Sequence, residues 1–130
     1  MTNQETVKEY IRAFNAGDIE ALRKVFTPDA LIHGSLGWGQ FDQIAPIWTQ
    51  LHSSFNMKLE VEHTVESGQD IIVRFTERGH FVNDFRGQRP TNRTSEVIAI
   101  EWFQMEDGLI KRRWGVRDSA SHFKQLGVAT

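Results

Sequence analysis

The feature that most limits the fold of this sequence is a change in the spacing of its apolar residues near position 56. Before it, apolar residues recur at the three- and four-residue spacing of helices, and after it they alternate with polar residues as in half-buried strands. Helices followed by long antiparallel strands predict an α+β domain, with N-terminal helices packed on a curved antiparallel sheet. The 130 residues contain no linker or repeat, so we expect a single domain over 1–130.

Several boundary residues support the predicted helices. Thr2 and Glu5 have the spacing of a capping box, Gly17 is placed to end the first helix, and Asp18 can cap the second. The second helix is expected to stop at Pro28, and a short strand to cover residues 30–33. Apolar residues from 44 to 55 then predict a third helix.

The strand region predicts which side chains face inward. Its first strand should bury its odd-numbered residues from 57 to 65, including His63, and its second those from 71 to 81, including Phe75 and Glu77. From Glu96 to Met105 the chain is apolar on both faces, interrupted after Glu96 only by Glu101 and Gln104. A last strand over 109–118 and a short helix over 119–126 complete the prediction.

Composition excludes several classes of function. The absence of cysteine excludes disulfides, thiolate nucleophiles and cysteine-ligated metals, and it fits a cytoplasmic protein. A net charge of −2 argues against binding to nucleic acid. No apolar run is long enough to span a membrane, and the polar N-terminus has no signal-peptide core. The histidines lack metal-ligand spacing, and no nucleotide-binding motif is present.

Three stretches, taken in order, carry a resemblance to a known family. They are YIRAFNAGDIEALRKVFTPDALIHG, VRFTERGHFVNDFRGQRPTNRTSEV and IAIEWFQMEDGLIKRRWGVRDSASHFKQLG. Together they resemble the SnoaL-like polyketide cyclases of the NTF2-like superfamily, over about residues 5 to 127. The resemblance implies a cone whose sheet and helices enclose an apolar pocket for a small apolar, oxygenated ligand, such as a polyketide or terpenoid. It also implies proton transfer beside a carbonyl, as in cyclases and isomerases, and no metal or organic cofactor.

The resemblance also assigns candidate site residues, with two departures from the family pattern. The acid/base aspartate of the cyclases falls on Gly115, and the general base of the isomerases on Gly34, so neither position has a carboxylate. Glu101 matches the protonated acid of the isomerases, and Tyr10 matches their phenol. Arg113 stands where the family has a histidine.

Glu101 also attracts attention on chemical grounds, because a carboxylate in an apolar strand must be paired or protonated if it is buried. A two-residue turn at 107–108 would place Glu101 opposite Trp114, whereas a three-residue loop at 106–108 would place it opposite Arg113. We favour the second register because it satisfies the charge. Arg113 would favour the ionised form of Glu101 and a role as base, while burial would favour the protonated form and a role as acid. Both roles stay open.

These considerations give two groups of candidate site residues. The candidate catalytic residues are Glu101, Arg113, Tyr10 and His33. The candidate substrate-binding residues are Phe14, Trp38, His63, Phe75, Glu77, Phe103 and Arg117. Trp38 could serve as a lid, and His63 could equally be a hydrogen-bonded core residue.

The preferred register leaves an apolar outer sheet face, formed by Ile100, Trp102, Trp114 and Val116. Such a face must be covered, so we expect a homodimer. For function, an enzyme of the cyclase or isomerase type is the first expectation. The alternatives are a non-catalytic binding domain, which the glycine at 115 favours, or a hydroxylase or epoxide-opening relative.

Overall fold

A computed structural model describes residues 1–34 and 37–129. The helices are α1 (Asn3–Ala16), α2 (Ile19–Lys24), α3 (Phe41–Phe55) and α4 (Ser119–Leu126). The strands are β1 (Phe26–Gly34), β2 (Gly37–Gly39), β3 (Lys58–Ser67), β4 (Asp70–His80), β5 (Thr94–Glu106) and β6 (Leu109–Arg117). The predicted α+β layout, with helices before a meander of long strands, is confirmed.

The six strands form one sheet in the order β2-β1-β6-β5-β4-β3. Four neighbouring pairs are antiparallel, but β1 and β6 run parallel. The expectation of a wholly antiparallel sheet was therefore wrong at this pair. No hairpin joins β1 to β6, so nothing in their connection requires opposite directions.

The predicted helix boundaries are confirmed at the N-terminus. Thr2 and Glu5 form the capping box, and the Thr2 hydroxyl accepts from the Glu5 amide at 3.1 Å. Gly17 ends α1 with a φ of 67°, and Asp18 accepts from the Ala21 amide at 3.1 Å. Helix α2 ends at Lys24, well before the expected stop at Pro28, because β1 has already begun at Phe26.

An aromatic cluster fills one part of the space between the helices and the sheet. Tyr10 of α1 packs edge-on against Phe103 at 5.0 Å between ring centroids, and Phe14 packs against Trp48 of α3 at 6.3 Å. All four are buried. This part of the concave face is solid core, so any cavity must lie beyond it.

The β5–β6 turn differs from both predicted registers. It is a two-residue turn in which Asp107 and Gly108 have φ angles of 51° and 78°, as a tight hairpin turn with two positive φ angles requires. Gln104 pairs with Arg112, whereas Met105 pairs with Ile110, so residue 111 is an extra residue in β6. This bulge shifts all the pairs beyond it by one position.

The shifted register sets Glu101 opposite Gly115 and Trp102 opposite Trp114. The predicted pairing of Glu101 with Arg113 was therefore wrong as a register. Because the turn and the bulge together displace β6 by two residues from the preferred register, Arg113 still points to the same face as Glu101. The expected inner face of β6 is confirmed.

A second bulge moves His63. Val61 pairs with Phe75, whereas His63 pairs with Arg74, so Glu62 is an extra residue in β3. His63 consequently lies on the outer face of the sheet and is exposed, and the prediction that it faces inward was wrong.

The outer sheet face carries a row of aromatic side chains, one from each of four adjacent strands: Trp38, His33, Trp114 and Trp102. His33 stacks between Trp38 and Trp114, at 5.6 and 6.2 Å between ring centroids. We call these four residues the aromatic row. Beside it, Ile98, Ile100 and Val116 are 61%, 41% and 64% exposed. The predicted apolar outer face is present, and dimerisation through it stays a prediction.

Within the ranges described above, no helix combines the length and apolar character needed to cross a membrane.

Candidate active site

Glu101 lies at the centre of a buried polar network on the concave face. The Tyr10 hydroxyl donates to Glu101 Oε1 at 2.5 Å. Arg113 donates to the same oxygen through Nε at 2.6 Å, and its Nη2 lies 2.5 Å away. Tyr10, Glu101 and Arg113 are 0%, 3% and 5% exposed. The network therefore joins α1, β5 and β6 through one carboxylate oxygen.

The hydrogen bonds of Glu101 fall on one of its two carboxylate oxygens. All the hydrogen bonds that Glu101 accepts through its side chain from the described part of the chain end on Oε1. A carboxylate can accept about four hydrogen bonds. Glu101 Oε2 thus keeps its capacity to bind a ligand group or to take a proton.

Arg113 occupies a site built for a guanidinium group. A Cβ atom at Gly115 would lie 2.4 Å from Arg113 Cζ, and one at Gly34 would lie 3.2 Å from Nη1. Nη1 also donates to the carbonyl of His33 at 3.0 Å, and the guanidinium carbon lies 5.7 Å from the centre of the Trp48 ring. The two glycines at which the resemblance expected carboxylates therefore make room for Arg113.

A second buried ion pair lies on the same face. Arg117 of β6 places Nε 2.7 Å from Glu77 Oε1 of β4, and the two side chains are 11% and 2% exposed. Two carboxylates and two guanidinium groups thus balance one another in a poorly hydrated region. Charges in such a region must be paired, because desolvation of a lone charge is costly.

The environment fixes the protonation of several of these groups. Burial raises the pKa of Tyr10 well above its usual value, although Arg113 opposes the shift, so the hydroxyl stays a hydrogen-bond donor. Burial lowers the pKa of Arg113, but the charge of Glu101 outweighs this and the net pKa is raised, so the guanidinium stays charged. Burial also raises the pKa of Glu77, partly offset by Arg117.

A cleft opens beside the two ion pairs. Its empty space, counted out into solvent, is about 420 Å³, and the centre of a water molecule fits in about 30 Å³ of it, a space we call the cavity. The polar and small residues that line the cleft are Gly34, Gly37, Glu77, Ala99, Glu101, Arg113, Gly115 and Arg117. Its apolar lining residues are Ile44, Ile47, Trp48 and Leu51 of α3, together with Val116, whose side chain is mainly exposed on the outer face. The cavity exceeds the roughly 10 to 15 Å³ that one water molecule needs, and α3 gives the cleft an apolar wall.

Five of the candidate residues come together at this site. Glu101, Arg113, Glu77 and Arg117 line the cleft, and Tyr10 supports Glu101 from the core side. The predicted ion pair between Glu101 and Arg113 is confirmed. Their roles in binding and catalysis stay predictions.

The remaining candidates lie elsewhere. His33 and Trp38 point to the outer face as part of the aromatic row, so the placement of these two side chains in the pocket was wrong. Only the backbone carbonyl of His33 reaches the site. His63 is also on the outer face, because of the β3 bulge.

Phe14, Phe75 and Phe103 do not line the cleft. They are 6%, 0% and 0% exposed and belong to the packed core. The aromatic cluster of α1 and α3 occupies the space that the resemblance assigned to a ligand, so the expectation that these rings line the pocket was wrong.

The apolar wall of the cleft was missed at the sequence level. Ile44, Ile47, Trp48 and Leu51 of α3 form it. Their helical spacing was visible, but the same spacing serves a helix that packs on a core and one that lines a cleft. Among the described residues, no cluster of three or more histidine, aspartate or glutamate side chains is placed to hold a metal ion.

Comparison with known proteins decides the family. The model of the SnoaL-like polyketide cyclase family matches residues 4–126. The chain belongs to this family. No curated protein matches this SnoaL-like chain significantly.

Solved structures share the fold over nearly the whole length of the SnoaL-like chain. IdmH, a candidate polyketide cyclase from Streptomyces antibioticus, is 28% identical, with a TM-score of 0.87 over 98% of this chain and 100% of its own. AclR, a candidate hydroxylase from Streptomyces galilaeus, is 19% identical, with a TM-score of 0.85 over 96% and 95%. A candidate polyketide cyclase from Xanthomonas campestris pv. campestris is 18% identical, with a TM-score of 0.87 over 95% and 96%.

Proposed function

We propose that this protein is a cofactor-independent enzyme of the cyclase or isomerase type, which moves a proton next to a carbonyl group of an apolar, oxygenated small molecule. Glu101 is the base, Arg113 positions it and neutralises developing charge, and Tyr10 holds it from the core side. The substrate class is polyketide-like or terpenoid-like. This class rests on the family and on the 28% identity to a candidate polyketide cyclase.

One observation carries the proposal: the hydrogen bonds that Glu101 accepts through its side chain from the described residues end on Oε1, and Glu101 itself lines the cleft. A general base needs a fixed orientation and an acceptor within hydrogen-bond reach of the proton that it removes. Arg113 supplies the orientation and stabilises the charged carboxylate through a 2.5 Å contact. Glu101 is therefore better suited to be a base than an acid.

The shape of the cleft fits a ligand that inserts one oxygenated carbon and leaves its body outside. The cavity of about 30 Å³ has room for a small substrate group together with a water molecule. Ile44, Ile47 and Leu51 offer an apolar surface to the rest of the molecule. Arg113 and Arg117 border the cavity and can stabilise negative charge on a carbonyl oxygen as the proton leaves.

Hydrogen–deuterium exchange tests this function without knowledge of the final product. A panel of polyketide and terpenoid carbonyl compounds is incubated with the protein in D₂O, and exchange at the carbon next to the carbonyl is followed by NMR. We expect the wild-type protein to accelerate exchange for at least one compound. Glu101→Gln should lower that rate by about 10² to 10⁴-fold, the usual contribution of a general base.

Glu96→Gln is the matched control, since Glu96 lies on the same strand but is exposed on the outer face. It should exchange at the wild-type rate. Equal rates for Glu101→Gln and wild type would contradict the proposal.

A non-catalytic binding domain is the second candidate, because Gly115 lacks the carboxylate of the family pattern. In that case compounds would bind without accelerated exchange. Loss of binding in Arg113→Met, together with exchange at the uncatalysed rate in wild type, would support it.

A further inference from the structure

We infer that Glu77 is a second proton-transfer group of this site, linked to Glu101 by one water molecule bound in the cavity. The inference rests on the proposed function of Glu101 as a base. It adds a relay partner and a water site that the function does not require.

Two carboxylates line the same cleft. Glu77 comes from β4 and Glu101 from β5. They are 2% and 3% exposed. Each has its own guanidinium partner, Arg117 at 2.7 Å and Arg113 at 2.5 Å. Each carboxylate is therefore neutralised by its own guanidinium group.

The cavity has the size and the lining that a bound water requires. Its volume of about 30 Å³, counted for water centres, is about twice the roughly 10 to 15 Å³ that one bound water needs, so the water can lie beside a small substrate group. A buried water needs two to four polar partners. The carboxylates of Glu101 and Glu77 and the guanidinium of Arg117 line the cleft and can supply them. Ala99 also lines the cleft, and its small side chain leaves room for the water.

The relay conserves protons. Glu101 takes a proton from the substrate carbon, and the electron pair of that C–H bond moves onto the carbonyl oxygen as an enolate. The protonated Glu101 passes a proton to the water, which passes one of its own to Glu77. Return of a proton from Glu77 to Glu101, and from there to a carbon of the product, restores both carboxylates. The cycle consumes no oxidant or other reactant.

The charged surroundings make Glu77 a suitable acceptor. Burial raises its pKa, which favours uptake of a proton, and Arg117 only partly opposes this. The other titratable groups of the site are Glu101 from β5, Arg113 from β6 and Tyr10 from α1. Helix α3 contributes only apolar side chains to the lining. Among the described residues that line the cleft, no further acid or base competes for the proton.

Two substitutions test the relay from different sides. Glu77→Gln removes the acceptor, and Ala99→Val fills the cavity with two methyl groups while leaving all charges in place. Ala30→Val is the matched control for Ala99→Val, because Ala30 is a strand alanine that is 1% exposed and does not line the cleft. We expect exchange to fall about 10- to 100-fold in Glu77→Gln and Ala99→Val. Ala30→Val should keep the wild-type rate if it folds.

A crystal structure at high resolution and a carboxyl NMR titration provide readouts that need no substrate. The wild type should show one water within hydrogen-bond distance of Glu101 and Glu77, and Ala99→Val should lack it. The ¹³C carboxyl resonance of Glu77 should titrate at a different pH in Glu101→Gln, whereas Glu96→Gln should leave it unchanged.

These readouts separate the proposed function of Glu101 as a base from the proposed relay to Glu77. If no compound exchanges but the water and the coupled titration are found, the function fails while the relay site stands. An unhydrated cavity in the wild type, or wild-type exchange in Ala99→Val, would overturn the relay. A Glu77 titration indifferent to Glu101→Gln would also overturn it.

Discussion

The most specific prediction concerns Gly115, the position where the family pattern has an acid. An alanine Cβ there would lie 2.4 Å from Arg113 Cζ and 2.5 Å from Nη2, whereas non-bonded carbon atoms prefer about 3.5 to 4.0 Å. The guanidinium is the end of a flexible side chain, so it would move by about 1 Å rather than the strand. Gly115→Ala should therefore weaken the ion pair without adding a charge or removing either partner.

The expected cost follows from the contacts that would stretch. Arg113 lies 2.5 to 2.6 Å from Glu101 Oε1 and 3.0 Å from the His33 carbonyl. Hydrogen bonds to charged groups contribute about 1.5 to 3 kcal/mol each, and breaking a buried ion pair outright costs about 3 to 5 kcal/mol. Partial displacement should lower the free energy of unfolding by about 2 to 4 kcal/mol.

Urea unfolding followed by tryptophan fluorescence measures this cost, since the chain has four tryptophans. A loss of 2 to 4 kcal/mol corresponds to a midpoint about 1 to 2 M lower in urea. The same substitution in an Arg113→Met background is the decisive control. There the guanidinium is gone, and replacing a strand glycine by alanine should be neutral or stabilising by up to about 1 kcal/mol. Equal effects of Gly115→Ala in both backgrounds would refute the reasoning.

Three further predictions concern other parts of the molecule. Burial, with a smaller contribution from Arg117, lowers the pKa of His122 from 6.5 to about 4. The folded state therefore binds fewer protons than the unfolded state near pH 5. Up to about 3 kcal/mol of stability that is present above pH 6.5 should be lost as the pH falls towards 4. His122→Gln should abolish that component in urea titrations at pH 7 and pH 4.5, and an unchanged pH dependence would contradict it. We propose that a second copy covers the outer sheet face, whose exposed apolar side chains offer on the order of 600 Å², close to the roughly 800 Å² per partner of a standard interface. Sedimentation should show a dimer in wild type and a monomer in Ile98→Glu. The control Val82→Glu changes an exposed valine outside the sheet and should stay dimeric. A monomeric wild type would refute the proposed dimer. Tyr10→Phe should cost about 1.5 to 3 kcal/mol in urea unfolding, because it removes a 2.5 Å hydrogen bond to a charged carboxylate, and a cost near zero would mean that the bond contributes little.

The period of the apolar residues predicted much of the fold and part of the site. Alternation along β4 placed Glu77 inward, and the isolated charge of Glu101 in an apolar strand indicated a buried partner. Both inferences hold because successive side chains of a strand point to opposite faces of the sheet. Once one residue is known to face the core, the orientation of its neighbours follows. Arg113 followed from the need to neutralise a buried carboxylate.

Bulges limited what could be predicted beyond this. The extra residues, Glu62 and Lys111, are exposed and polar like other residues on the solvent face of a strand, so nothing in their identity marks a bulge. One bulge reversed the orientation of His63. The other combined with a shorter turn and preserved the orientation of Arg113, so the ion pair was correct although the register was not.

Long-range pairing was the other limit. His33 and Trp38 face outward because β1 lies beside β6 and shares its register with Trp114. Two strands that are far apart in the sequence and run parallel give no local signal of that register. Likewise, the α3 stripe that includes Trp48 looks the same whether it packs on a core or borders a cleft.

A crystal structure with a bound carbonyl compound tests the central claim most directly. The compound should be the one whose exchange the protein accelerates most. We expect its acidic carbon to lie about 3 to 3.5 Å from Glu101 Oε2, with its carbonyl oxygen towards Arg113 or Arg117 and its apolar body along α3. A compound bound away from Glu101, or a Glu101 whose Oε2 turns away from the bound molecule, would contradict it.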